Sequence, residues 1–385
     1  MARTDCRYFS GYKPCGKAIT CDQSCCLFRP RGEPILVVHL EALGAVLRGT
    51  SILPAIKRRY PLSHITWVTQ SPAQHLLTQN PHIDRILTTG QSDLLELSAL
   101  HFSHAFVLDK SLKASGILHH TRYDQLFGFR ADPRTGAILP VTRAANELWE
   151  IGLDDHRKFH VNKKTESQLL LEAVDLGPFR RDPYVVYLST KEKQKVRHLR
   201  KSWGSRSQVI IGINTGCSHT LPYKKMSVEK HRQLIRALKQ IPNLQVVLLG
   251  GPEDSKNNHL IAAGLDVVNS PTEEGLRNGL VSVAACDVVV TGDSLGMHMA
   301  IGLSKWVVAW FGPTCSHEID LYDRGVFVHS SVTCGPCWKR SCLQENMCYD
   351  QVPISELLEG VRKGIQWRTS FIKQPLSEIS SSPFL

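Results

Sequence analysis

No uninterrupted apolar run approaches the roughly 18–20 residues needed to span a bilayer, so no transmembrane helix is expected in this chain of 385 residues. The first thirty residues contain Arg3, Arg7, Lys13, Lys17 and five cysteines but no apolar stretch, which argues against a secretory signal. The expected compartment is therefore a reducing cytosol. Acidic residues are fewer than basic ones, 35 against 46, and the formal charge of +11 favours an anionic partner. Nucleic acid, a membrane surface and a phosphorylated substrate all meet that description. No helix-turn-helix and no RNA-binding aromatic pattern accompanies the charge, so nucleic acid ranks low.

What is present is ordinary globular material. Hydrophobic residues make up 42% and charged residues 21%, which excludes a disordered or fibrous chain. The length suits two domains rather than one core. Twelve cysteines in a reducing compartment point to metal or redox chemistry where they cluster, not to disulfides.

After a cysteine-rich segment over residues 1–33, apolar strands alternate with amphipathic helices. Strands are expected at residues 34–40, 64–69, 85–89 and 104–109, with one core-facing helix over 44–60. Residues 128–181 read as less regular. A second series places strands at 209–215, 244–251, 266–270, 287–291, 306–312 and 326–329, with Ser227 capping a helix. Alternation of this kind implies parallel sheets covered on both faces, here in two domains over 34–182 and 183–350. A closing helix is expected over 351–368 and a disordered tail over 369–385, where Ser380, Ser381 and Ser382 stand together. Ligands of doubly wound sheets bind at the carboxyl ends of strands, which directs the search for a site.

Three strand ends carry candidate chemistry. Around residues 287–300 a β-branched strand runs into Gly292, and Asp293 and Ser294 open a helix carrying Gly296 and His298. The N–H groups and dipole of a helix start hold phosphate well. Asn214-Thr215-Gly216-Cys217-Ser218 ends an earlier strand, and Lys224 after it supplies the point charge a diphosphate needs. Gly250-Gly251-Pro252-Glu253 ends the next, where a carboxylate suits a ribose hydroxyl. Gly292 to Gly296 also matches G-x-S-x-G, the nucleophile elbow of serine hydrolases, with Asp320 or Asp323 and His329 following in hydrolase order. No H-G-G-G-like oxyanion loop accompanies it.

The ordered motifs together resemble glycosyltransferase family 9, the ADP-heptose lipopolysaccharide heptosyltransferases and their relatives. They include Val37-Val38-His39-Leu40-Glu41-Ala42-Leu43-Gly44, A-I-K-R-R-Y-P at residues 55–61 and I-T-W-V at 65–68. N-T-G-C-S at 214, G-G-P-E at 250, T-G-D-S-L-G-M-H at 291 and V-V-A-W-F-G-P-T at 307 continue the series. The resemblance spans roughly residues 34–350. It implies an α/β GT-B fold, two Rossmann-like doubly wound domains facing a cleft, with an acceptor domain first and a nucleotide-sugar domain second. It implies an inverting sugar transfer, a heptose from an ADP-sugar being favoured, to an envelope glycan or other acceptor, without metal at the reacting centre. The implied partners are a nucleotide-diphosphate sugar donor and an anionic glycolipid or glycan. By position, Lys224, Asp293, Ser294, Gly296 and His298 match the diphosphate-holding residues, and Glu253 lies where ribose contact is expected. The family often reads D-S-G-P-M-H, so Leu295-Gly296 shifts the glycine by one residue.

The family's L-G-D aspartate, its presumed general base, is replaced here by Ala45 in Leu43-Gly44-Ala45. Transfer to a hydroxyl needs a base near the nucleophile. Glu41, in the same loop, and Asp109, at a strand end, are the two substitutes; a catalytically lapsed nucleotide-sugar binder is the alternative.

Cys334, Cys337, Cys342 and Cys348 form C-x2-C-x4-C-x5-C, a spacing that suits zinc or iron, including an iron–sulfur cluster. Cys6, Cys15, Cys21 and Cys25, with Cys26 beside them, are more loosely spaced and form a second candidate metal group. Lys191, Lys193, Lys195, Arg197, Arg200 and Lys201 flank Val196, Leu199 and Trp203. Such a helix can rest on the inner face of the cell membrane or lie solvated between domains.

Overall fold

The computed structural model describes residues 1–9, 11–205 and 207–372. The chain forms two compact units, Met1–Asp155 with Glu166–Tyr187, and His156–Thr165 with Leu188 onward.

The first unit holds strands β1 (Pro34–Val38), β2 (His64–Thr69), β3 (Arg85–Thr88), β4 (His101–Val107), β5 (Arg122–Ala131) and β6 (Ile138–Pro140). Their order is β3-β2-β1-β4-β5-β6, parallel except for β6, which runs antiparallel to β5. β2 is buried along its whole length, as expected of a strand covered on both faces. Core side chains on the two sides include Trp67, Phe106 and Phe129 on one and Leu36, Val38 and Val107 on the other.

The single helix expected over 44–60 is three pieces, Leu43–Gly49, a 3₁₀ turn Thr50–Ile52, and Leu53–Arg59. Pro54 explains the restart. It lacks an N–H to continue the ladder and is tolerated only in a first turn. β4 begins three residues earlier than expected, because His101 pairs with Arg122 of β5. The stretch read as less regular contains β6 and the helices Asn146–Ile151 and Glu166–Ala173. Their buried Leu148, Ile151, Leu169 and Leu170 reach the core between charged neighbours that mask the spacing.

Residues 1–33 fall in this unit, and the described ones among them form neither helix nor strand before β1. A bridge joins Cys6 to Pro30. The Arg7 guanidinium grips Asp84 at 2.6 and 2.9 Å, tying the segment to the start of β3.

The second unit holds β7 (Val209–Asn214), β8 (Leu244–Leu249), β9 (Val268–Asn269), β10 (Val288–Gly292), β11 (Trp306–Phe311) and β12 (Gly325–His329). All run parallel in the order β12-β11-β10-β7-β8-β9. Ser227 caps the helix Val228–Leu238, its hydroxyl accepting from the Lys230 N–H at 3.1 Å. The closing helix runs Ile354–Ile372, past its expected end, and its Gly360 carbonyl accepts from the Trp306 indole at 3.0 Å. Residues 373–385, with the serines of the expected tail, lie outside the described residues.

The basic helix Thr190–Trp203 packs on its own unit. Ser189 and Glu192 form a capping box, and Arg277 meets Glu192, Lys195 meets Glu274 and Arg200 meets Asp287. No described helix is long and apolar enough to cross a membrane.

Both sheets are doubly wound. Strand order reverses beside the first strand of each, between β1 and β4 and again between β7 and β10. Those are the two places where loops part and leave room for a ligand.

Candidate functional site

In the second unit the switch point is built around Asn214, the last residue of β7. Its side-chain amide donates to the Gly216 carbonyl at 2.9 Å, to Ser294 Oγ at 3.0 Å and to Thr291 Oγ1 at 3.3 Å. One amide therefore ties the loop after β7 to the turn after β10. Gly296 makes the arrangement possible, since a Cβ there would lie 2.5 Å from the Asn214 carboxamide. The glycine displaced by one position from the family pattern is thus required by a neighbour on another strand.

Ser294 is the N-cap of the helix Leu295–Gly302, and its side chain makes no capping bond. The first-turn N–H groups keep their pull on an anion. His298 is buried one turn along the same helix. Lys224 ends a short 3₁₀ turn and places Nζ 3.4 Å from Asp293 Oδ2, both side chains largely buried. Lys224, Asp293, Ser294, Gly296 and His298 accordingly occupy one end of this sheet.

The carboxylates after β8 divide differently from the sequence reading. Glu253 is exposed, whereas its neighbour Asp254 is buried. Asp254 Oδ2 accepts from the Gly251 N–H at 2.9 Å, while Oδ1 is buried without a partner. Burial pushes this carboxyl above its ordinary value, with Glu253 adding to the effect. Sequence reasoning missed Asp254 because adjacent acids in a turn do not reveal which one faces inward.

The hydrolase reading is not supported. Ser294 Oγ meets Asn214 and Thr291, and its backbone is extended rather than strained. The His329 ring is 2.9 Å from a different hydroxyl, that of Ser316, and Asp320 accepts from the Tyr322 N–H.

In the first unit the switch point holds Asp109 and His39. Asp109 follows β4, and its carboxylate accepts from the backbone N–H groups of Leu40 and Glu41. Burial raises its pKa, opposed by His39 and those N–H groups. His39 Nε2 lies 3.5 Å from Asp109 Oδ1, and burial holds the imidazole below its ordinary pKa. Glu41 lies outside this pocket of charge: its side chain is 55% exposed and pairs with Lys113 at 2.7 Å. Of the two, Asp109 is the buried carboxylate, 14% exposed and with a raised pKa.

The cysteines were expected to hold zinc or iron. None of the twelve is joined in a disulfide. Cys348 has its pKa pushed up to about 11, by burial first and then by Cys337, Cys334 and Cys342. Cys6, Cys15, Cys21 and Cys25 line a common cavity with Phe9 and Phe28. Among the described residues, however, no three His, Cys, Asp or Glu side chains are grouped so as to hold a metal ion. By chemistry the thiols suit a soft metal.

The sequence profile of glycosyltransferase family 9 (heptosyltransferase) matches residues 96–348. The chain is 25% identical over 303 residues to lipopolysaccharide heptosyltransferase 2 of Escherichia coli strain K12, covering 73% of this chain and 83% of that protein. Its fold is similar to the glycosyl transferase family 9 structure from Veillonella parvula, with a TM-score of 0.70 at 16% identity over 87% of this chain and 97% of the other. The ADP-heptose LPS heptosyltransferase II of E. coli gives a TM-score of 0.64 at 19% identity, over 87% and 99% of the two chains. With two doubly wound units as in the GT-B fold and a family match over well over half its length, the chain belongs to glycosyltransferase family 9, the heptosyltransferase family.

Proposed function

We propose that the protein transfers a heptose from ADP-heptose to a sugar hydroxyl of an anionic envelope glycolipid, with inversion at the anomeric carbon. The observation that carries the donor half is the convergence of Lys224, Asn214 and the uncapped helix start at the β7/β10 switch point. A diphosphate would lie on those N–H groups, with Lys224 balancing its charge. The preference for ADP and heptose draws on the relatives' names. The surplus of 46 basic over 35 acidic residues suits a phosphate-bearing acceptor at the membrane's inner face.

The acceptor half rests on Asp109. Its carboxylate would take the hydroxyl proton as the acceptor oxygen attacks the anomeric carbon. The bond from that carbon to the phosphate oxygen breaks, and ADP leaves with the electron pair. Ala45 has no group that can do this, and Glu41 is engaged with Lys113 in solvent. General-base catalysis of this kind contributes about a hundred- to ten-thousand-fold.

The test is ADP release from ADP-heptose with heptose-deficient lipopolysaccharide as acceptor. Wild type and Glu41→Gln should turn over, and Asp109→Asn should lose at least about a hundredfold while still binding ADP. Loss on Glu41→Gln with a normal Asp109→Asn would reject the assignment. Ala45 itself favours a second reading, a lapsed binder. That reading requires ADP binding without turnover in wild type, and transfer restored by Ala45→Asp.

A further inference from the structure

His39 is buried at the end of β1, with a side chain only 5% exposed. The interior is an expensive place for an imidazole, and its Nδ1 has no hydrogen-bond partner. Gly49 is packed against that nitrogen: a Cβ at this position would stand 2.3 Å from Nδ1. Trp67 stacks near the ring, with centroids 6.3 Å apart. The other nitrogen, Nε2, approaches Asp109 Oδ1 at 3.5 Å.

These neighbours decide the tautomer. A proton on Nδ1 would be a buried donor without an acceptor, and the Nε2 lone pair would then face a carboxylate oxygen. A proton on Nε2 lies on the side of the carboxylate, 3.5 Å from Oδ1, and leaves only an unfilled lone pair against Gly49. The second arrangement is the cheaper, since an orphaned acceptor is tolerated better than an orphaned donor.

We propose that His39 is a positioning residue for Asp109: a neutral imidazole protonated on Nε2, it orients the carboxylate at the end of β4 and keeps it ionised. The inference rests on the reading of Asp109 as base. The charged groups that face His39 are Asp109 itself, Arg48 from the helix Leu43–Gly49 and Glu166 from the helix Glu166–Ala173. Arg48 and Glu166 pair with one another at 2.6 Å and act on the ring in opposite directions. Asp109 is therefore the member of the set that an Nε2 proton serves. The device suits a base at this position. Burial raises the carboxyl's pKa, and a nearby N–H dipole offsets part of that rise without adding a charge that would hold the proton after transfer.

The experiment is the pH profile of kcat/KM with ADP-heptose and heptose-deficient lipopolysaccharide, for wild type, His39→Leu, His39→Gln and Asp109→Asn. Leucine removes the donor, so the acid limb should move up by roughly one pH unit. Glutamine places an N–H near the same point and should return the limb towards its wild-type position. Turnover retained in Asp109→Asn would overturn the base assignment and this inference with it. A dead Asp109→Asn with an unmoved limb in His39→Leu would overturn the role of His39 alone. Should His39→Leu not fold, nitrogen-15 spectra of the wild-type imidazole decide the matter. A neutral ring protonated at Nε2 from pH 5 to 8 is expected; an Nδ1–H tautomer or an imidazolium in that range would overturn the proposal.

Discussion

Lys224 Nζ lies 3.4 Å from Asp293 Oδ2, linking the stretch after β7 to the turn after β10. The contact holds a lysine beside an open helix start, where charge repulsion would otherwise drive it away. Replacing Lys224 with alanine should weaken ADP binding about ten- to a hundredfold, the range for one charge-assisted hydrogen bond. Calorimetric titration measures it. The double change Asp293→Ala with His298→Ala should also weaken binding while leaving the circular dichroism spectrum intact. Unchanged affinity in both proteins would remove the nucleotide from this end of the sheet.

Gly296 is packed against the Asn214 amide. Alanine there must push Asn214 off Ser294 and Thr291 or shift the helix Leu295–Gly302. Overpacking of that sort costs about 1–3 kcal/mol. Urea unfolding should show Gly296→Ala destabilised by that amount, with ADP bound more weakly than by wild type. A fully stable variant that binds normally would show that the amide network has another solution.

Asp109 provides a stability test whose sign is opposite to its effect on turnover. Its folded pKa lies above the ordinary value of 3.8, chiefly through burial. In the window from 3.8 up to that raised value the native state holds more protons than the unfolded chain, so this group's contribution declines as pH rises. Asp109→Asn should therefore flatten the pH dependence across that window and leave the protein at least as stable as wild type at pH 7. Thermal unfolding from pH 4 to 7 measures it. A steep loss of stability in the variant at pH 7 would mean that the hydrogen bonds from Leu40 and Glu41 outweigh burial.

Thiol reactivity should follow burial. Burial pushes Cys286 and Cys315 up to about 12, while Cys26 and Cys334 are exposed. At pH 8, iodoacetamide should modify Cys26 and Cys334 first and leave Cys286 and Cys315 unmodified until the protein unfolds. Peptide mapping by mass spectrometry reads the order. Protection of Cys334 in freshly purified protein, lifted by a chelator, would instead reveal a metal at the late cysteines.

Much of the fold was legible because a parallel sheet writes a simple pattern. Strand runs such as His64–Thr69 and Val209–Asn214 are mostly apolar and almost wholly buried, and a helix such as Val228–Leu238 is long enough to show its period. The misreadings came where local chemistry competes with pattern. Pro54 divided one helix, and charged residues around Leu148 and Leu169 concealed two others.

The candidate site was legible only as residue types at strand ends. Sequence motifs alone determined the family, the two doubly wound domains and the absence of an aspartate at Ala45, because these depend on order along the chain. Three further points required the fold: that Asp254 rather than Glu253 faces inward, that Asp109 is buried while Glu41 pairs with Lys113, and that His39 stands beside Asp109. Each concerns residues brought together or apart by neighbouring strands, and β1 meets β4 across more than sixty residues of intervening chain. Burial and proximity set a carboxylate's pKa, and both are properties of that packing.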